Sequence, residues 1–175
     1  MLISVEDLQK FTNVFPENEF DLQPIYVGSA CDTVINYLGY NPEKNTYDIF
    51  LDGKGDNFIY LPNMNIISVS SVSIDDISVN NYVIDGNKLI LTDGVFSNGV
   101  MNIEVEYIGG WEDAELPMSI KHAALRIAGL MQSEGQNNIG ITGKSIPNEG
   151  SRTFYNFTNF NKYLLPISAY KLVRE

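Results

Sequence analysis

Residues 101–131 read MNIEVEYIGGWEDAELPMSIKHAALRIAGLM, and the hydrophobic period changes inside them. Met101, Ile103, Val105 and Tyr107 alternate with Asn102, Glu104 and Glu106, the period of two expected of a half-buried strand. Gly109-Gly110-Trp111 ends the alternation. Acidic residues at 112, 113 and 115 and Pro117 then mark a helix start. Ile120, Ala123, Ala124, Ile127, Ala128, Leu130 and Met131 follow as a wide apolar stripe that stops at Gly135. A chain that changes period at one Gly-Gly-Trp has a β block before it and a helix after it, and the predicted fold class is α+β.

Upstream, the β block begins at Asn41. Tyr47, Ile49 and Leu51 alternate with Asp48 and Phe50, Asp52 to Asp56 read as a turn, and Phe58 to Leu61 return as a strand, which predicts a hairpin. Between Ile66 and Ile74 the alternation slips at Ser70-Ser71, where a bulge would return Val69 and Val72 to useful faces. Tyr82 and Ile84 lead into Asp85-Gly86-Asn87, with Leu89 and Leu91 beyond, a second hairpin signal. Five or six strands in about sixty residues predict a small antiparallel sheet or sandwich.

Two helices are expected before it. Ser4 and Asp7 have the spacing of a capping box, with Asp in place of the usual Glu; Ile3 and Leu8 fit a hydrophobic staple, and Val5, Leu8 and Phe11 share a face. Phe15-Pro16-Glu17-Asn18 breaks that helix. The second starts near Asp21, with Pro24 in its first turn, carries Leu22, Ile25, Tyr26, Ala30, Val34, Ile35 and Leu38, and stops at Gly39. After the third helix, Gly and Asn dominate to Gly150, and aromatics follow at Phe154, Tyr155, Phe157, Phe160, Tyr163 and Tyr170. This segment is too apolar for plain disorder, so it reads as an arm that packs on its own domain or on a neighbour. The predicted organisation is one domain over 1–175: helices in 1–40, a β insertion in 41–111, a helix in 112–135 and an irregular C-terminal arm in 136–175.

Composition bounds the chemistry. With 175 residues, 44% apolar and 19% charged, the chain can bury a core without a metal or a disulfide. Cys31 is its one cysteine and His122 its one histidine, which excludes a disulfide within the chain, a CxxC pair, a cysteine zinc site and most imidazole chemistry. The N-terminus has no basic region followed by an apolar run, and no window approaches the length of a membrane span, so the expected protein is soluble, not exported and without a membrane partner. Against 22 acidic residues there are 11 basic ones, a net charge of −11 and a pI near 4.4. The lysines and arginines are scattered, so no patch is set up to release counterions from DNA, and specific DNA binding is not expected.

Individual motifs are weak. Gly143-Lys144-Ser145 resembles the end of a phosphate loop, but Asn138 stands where that loop needs Gly, and Pro147 follows where it needs a helix. Asp52 to Asn57 resembles a calcium loop, but Lys54 occupies a ligand position, Asn57 sits where Gly is required, and Asn63 replaces the closing Glu. His122 has no nucleophile or carboxylate at a recognisable spacing. Cys31 reads as a small core hydrophobe, and Asn156-Phe157-Thr158 as a chance glycosylation match. Asp75-Asp76 and Glu112-Asp113 read as a turn and a helix start. No catalytic, cofactor-binding or metal-ligating residue is assigned, no cofactor is implied, and the chain is not expected to be an enzyme.

The order of these pieces resembles the head–tail connector proteins (adaptor, or head-completion proteins) of tailed bacteriophages. The phrases that carry the resemblance are Met1-Leu2-Ile3-Ser4-Val5-Glu6-Asp7-Leu8, Tyr60-Leu61-Pro62 through Ile67 to Val72, Asn81-Tyr82-Val83-Ile84-Asp85, and Ile103 to Trp111 leading through Leu116-Pro117 into a helix. The resemblance implies a helical core with a β insertion, assembled as a homo-oligomeric ring of about twelve copies at the virion neck, after synthesis in the host cytoplasm. Such a ring docks beneath the portal protein, extends the DNA channel, and receives the stopper or tail-completion protein. DNA passes through without specific binding, which suits an acidic lumen. The expected portal-docking arm comprises Phe160, Tyr163, Leu164, Leu165, Pro166, Ile167 and Tyr170, since buried aromatics commonly carry interface energy.

Two rival classes make different demands. A carbohydrate- or receptor-binding β module of a phage or bacterial surface assembly would present Tyr40, Tyr47 and Tyr60 as an exposed row. An enzyme would gather ionisable groups in a cleft around His122.

Overall fold

The computed structural model describes residues 1–15, 22–135, 143–146, 150–153 and 160–172. Its elements are helices and antiparallel sheets, the α+β class expected. They fall into two compact units, Met1–Tyr37 with Pro117–Ala169, and Leu38–Leu116 with Tyr170–Glu175.

The first unit is helical. Helix α1 (Val5–Thr12) opens with the expected capping box: the Ser4 hydroxyl accepts from the Asp7 amide at 3.1 Å, and the Asp7 carboxylate accepts from the Ser4 amide at 2.8 Å. The Ser4 amide, and the Ser4 hydroxyl donating to Asp7 Oδ2 at 2.8 Å, both bond to the charged form and hold the Asp7 carboxyl below its ordinary range. Helix α2 (Gln23–Leu38) starts two residues later than Asp21. Its first residue, Gln23, is buried; it accepts from Gln9 Nε2 at 2.9 Å and donates to the Val14 carbonyl at 3.1 Å, which fixes the start of α2 against α1. Val27, Ala30, Cys31, Val34 and Leu38 form its buried stripe, whereas Leu22 and Ile25 stay exposed. Helix α3 (Met118–Gly135) buries Ile120, Ala123, Ala124, Ile127 and Ala128 of the stripe read from the sequence, while Leu130 and Met131 at its end are half-buried. Strands β8 (Gly143–Ile146) and β9 (Gly150–Thr153) pair antiparallel, and helix α4 (Asn161–Leu164) leads into a tighter 3-10 turn over Leu165–Tyr170.

The second unit is a sandwich of seven strands where five or six were expected: β1 (Asn45–Gly53), β2 (Phe58–Tyr60), β3 (Ile66–Ile74), β4 (Ile77–Ser78), β5 (Tyr82–Asp85), β6 (Lys88–Leu91) and β7 (Gly99–Gly109). One sheet has the order β1-β7-β3-β4 and the other β2-β6-β5. The β5–β6 hairpin closes between Asp85 and Lys88, and the bulge falls between Val69 and Ser71 with Val72 buried, both as expected. The hairpin predicted between β1 and β2 does not form. β1 pairs with β7 along its length, and β2 with β6. The physical reason is register: Tyr47, Ile49 and Leu51 lie opposite Tyr107, Val105 and Ile103, so one long ladder buries both apolar faces together. The Asp52–Asp56 segment therefore carries the chain from one sheet to the other.

Val72, Ile103, Val105 and Tyr107 of the first sheet share a core with Ile59, Leu89 and Leu91 of the second, closed by Leu61 and Phe96. Tyr107 stacks on Tyr47 with ring centroids 5.1 Å apart, and its hydroxyl donates to Asn63 Oδ1 at 2.6 Å. Burial holds that hydroxyl well above its ordinary titration range, so it remains a donor. At the Gly109-Gly110-Trp111 boundary, Gly110 has φ +97, and a β-carbon there would sit 2.2 Å from the Glu43 carbonyl oxygen. Glycine is required both by conformation and by space. Among the described residues, no helix is long and apolar enough to cross a membrane.

Candidate functional site

The arm residues singled out from the sequence do not share one environment. Phe160 starts α4 with its carbonyl accepting from the Tyr163 and Leu164 amides at 2.8 and 3.1 Å, and no side chain caps it. Leu164 and Ile167 are buried, Tyr163 and Phe160 are half-buried, and Leu165 (66% exposed) and Pro166 face solvent. The alternation follows from the tight turn: with three residues per turn, Leu164 and Ile167 eclipse each other, and the pair between them points away. The Arg126 guanidinium lies 4.9 Å from the centre of the Tyr163 ring, a cation–π contact from α3. Tyr170 belongs to the second unit, where it meets Trp111 edge-on at 6.0 Å, and the Leu172 amide donates to the Leu38 carbonyl at 2.8 Å. Nothing in the local sequence separates the buried Leu164 from the exposed Leu165.

The tyrosines named for a binding module form no exposed row. Tyr40 is buried beside Trp111, and Tyr47 is covered on one face by Tyr107. Tyr60 is half-buried, lining a cleft of about 590 Å³ with Leu51, Asp52, Phe58 and Leu61, and the Lys88 ammonium sits 4.6 Å from the Phe58 ring centre and 5.1 Å from that of Tyr60. Those rings already have a cation over them. His122 is exposed, and the Phe11 ring lies edge-on to it at 6.2 Å.

The remaining motifs have local explanations. Gly143 to Ser145 lie in strand β8, and the next described element is strand β9. Asp75 and Asp76 form the turn between β3 and β4, at φ +51 and +64, and Ser97 Oγ donates to Asp75 Oδ2 at 2.6 Å. Glu112 pairs with Lys44. Cys31 is buried in α2, and the Asn156 match lies outside the described residues. Among the described residues, no three His, Cys, Asp or Glu side chains converge as metal ligands.

The feature that sequence reasoning missed is the end of the sandwich where β1, β3 and β7 meet. Period two places Met101 inward with Ile103, but Met101 has φ +51 and is 62% exposed, its amide donating to Asp52 Oδ1 at 2.7 Å. Gly53 fits there because a β-carbon would lie 1.8 Å from the Ser97 carbonyl oxygen. Asn102 ties the end together, accepting from the Gly53 amide at 3.0 Å and donating to the Ser97 carbonyl at 3.1 Å.

The architecture is a helical unit whose chain is interrupted by a small β sandwich, and such a fold by itself assigns no function. The model of the head completion protein family matches residues 1–154, and the chain belongs to that family. Solved structures share its fold. A chain in the virion of a native gene transfer agent (GTA) particle aligns over 99% of this chain and 91% of its own length, with TM-score 0.65 and 10% identity. A chain in the neck of an empty GTA particle computed with C6 symmetry gives 0.64 at 13% identity, over 99% and 91%. One in the neck of a native GTA particle computed with C12 symmetry gives 0.57 at 10%, over 99% and 93%. No curated protein matches the sequence.

Proposed function

We propose that this protein is a structural, non-enzymatic component of the virion neck: a connector that assembles with copies of itself into a ring, docks on the portal protein, extends the DNA channel and receives the stopper or tail-completion protein. Membership of the head completion family carries this reading, and the shared fold with chains of GTA virions and necks supports it. Both units act as one connector domain, with assembly at the head–tail interface following synthesis in the host cytoplasm. The net charge of −11 suits a wall past which DNA slides, because a surface of the same sign as the phosphates offers no counterion-releasing contacts.

Docking on the portal runs through the C-terminal arm, and its exposed Leu165-Pro166 pair is the contact, held outward by the buried Leu164 and Ile167. Deleting the whole arm would remove core residues as well, so the test is a point substitution. Leu165→Asp should leave the circular dichroism spectrum unchanged and weaken retention on immobilised portal rings at least about tenfold, the loss expected of a central apolar anchor. Unchanged retention would move the anchor elsewhere on the surface. Light scattering over a concentration series, with and without portal, tests the ring itself: a species of about twelve 19.6 kDa chains is expected, and a monomer under both conditions would reject the ring.

A further inference from the structure

Two surface features lie outside the arm proposed to dock on the portal. One is the sandwich end just described. Val100 (83% exposed) and Met101 stand there with Ile77 (70% exposed), above a turn carrying Asp75 and Asp76. Three non-glycine residues with positive φ gather at this end, which costs conformational energy, and the Asp52, Ser97 and Asn102 bonds hold it rigid. The effort is spent on turning Met101 outward. A rigid apolar tip with an acidic rim is a surface built for a partner.

The other is a groove of about 440 Å³ between α1 and α3, with apolar walls from Phe11, Val14 and Leu130. Gln132 lines it, is only 5% exposed, and its Oε1 has no hydrogen-bond partner. At its margin Arg126 rests on Tyr163, and among the described residues no carboxylate pairs with it. The groove thus takes an apolar segment with an adjacent carboxylate.

The tip has that chemistry. We propose that the two are the halves of one contact between copies of this chain: the Val100–Met101 tip of one copy seats in the α1–α3 groove of the next, its apolar side chains against Phe11, Val14 and Leu130 and the Asp76 side facing Arg126. The contact joins two different patches, so it is heterologous and repeats from copy to copy until the ring closes. This inference rests on the ring reading above and supplies the interface that reading lacks.

The experiment uses the full chain with Val100→Cys and Leu130→Cys, singly, together and as a mixture of differently tagged single variants, treated with a short bis-maleimide under conditions where light scattering shows the wild type assembled, on portal if required. The double variant should give a ladder of covalent multimers and the mixture should give mixed dimers, while each single variant alone gives neither. Wild-type rings without a ladder would overturn this contact and leave the ring reading intact; no assembly of the wild type, with or without portal, would overturn both. A charge exchange guards against misfolding: Arg126→Glu should weaken assembly about tenfold, and adding Asp76→Lys in the same chain should restore it. Loss without rescue, in variants with native circular dichroism, would also overturn the pairing.

Discussion

The helical unit and the β unit divide the molecule's charge unevenly. Counted over the two units, the helical one has eight acidic and six basic residues, and the β unit fourteen acidic and five basic. Nearly all of the net charge of −11 therefore sits on the sandwich. Their cores differ too: Ala30, Ala123, Ala124 and Ala128 let helices approach closely in one, while Tyr107, Phe96 and Ile103 fill the other. A strongly acidic surface suits standing beside phosphates without holding them, and the nearly neutral unit lacks that repulsion. The β unit is therefore the part of the chain whose surface repels polyanions.

The largest effect should come from the β unit's Gly110. Gly110→Ala forces a β-carbon into the Glu43 carbonyl at an unfavourable φ and should cost about 4 kcal/mol. Trp111 is the only tryptophan and reports on that unit, so its emission should change at lower urea than the helical band at 222 nm. Coincident transitions would mean that the two units, however different, unfold as one. The helical counterpart is Ile127→Ala, a fully buried truncation expected to cost about 3 kcal/mol, read by the shift of the urea midpoint at 222 nm.

A smaller change sharpens the contrast between the two cores. Tyr107→Phe removes the donor to Asn63, a buried residue whose Nδ2 already lacks a partner, and should cost about 2 kcal/mol by urea denaturation. A cost near zero would mean that Asn63 finds another partner. The smallest effect lies at the α1 cap, where Ser4→Ala should cost about 1 kcal/mol. The sign of its pH dependence follows from the lowered Asp7 carboxyl. Stability from the charged cap is present above the unfolded-state pKa and is lost as pH falls through the lower folded value, so the difference between wild type and Ser4→Ala should shrink in acid. A difference independent of pH would show that the bond from the Ser4 hydroxyl to the Asp7 carboxylate contributes nothing to the cap.

Local features were legible in the sequence because neighbouring residues decide them. The Ser4–Asp7 cap, the Ser70-Ser71 bulge, the Asp85–Lys88 hairpin and the α3 stripe each depend on a few consecutive side chains and on a period. The family resemblance was legible for a related reason: it lies in the order of such local elements, and the family model matches residues 1–154. The candidate site was less legible. The arm was visible as a cluster of apolar residues, but its sequence does not divide Leu164 and Ile167 from Leu165 and Pro166.

By itself, then, the sequence determined the α+β class, the order of helices and strands, the acidic balance and the absence of thiol and imidazole clusters, since these depend on composition and on short-range periodicity. Only the tertiary structure decided that β1 pairs with β7 across about fifty residues instead of with its neighbour β2, because strand partners are chosen by which ladder buries the most apolar face. It alone turned Met101 outward, since the bond from its amide to Asp52 joins residues far apart in the chain. It alone divided the arm between core and solvent, because burial is a property of what packs against a residue and not of the residue itself.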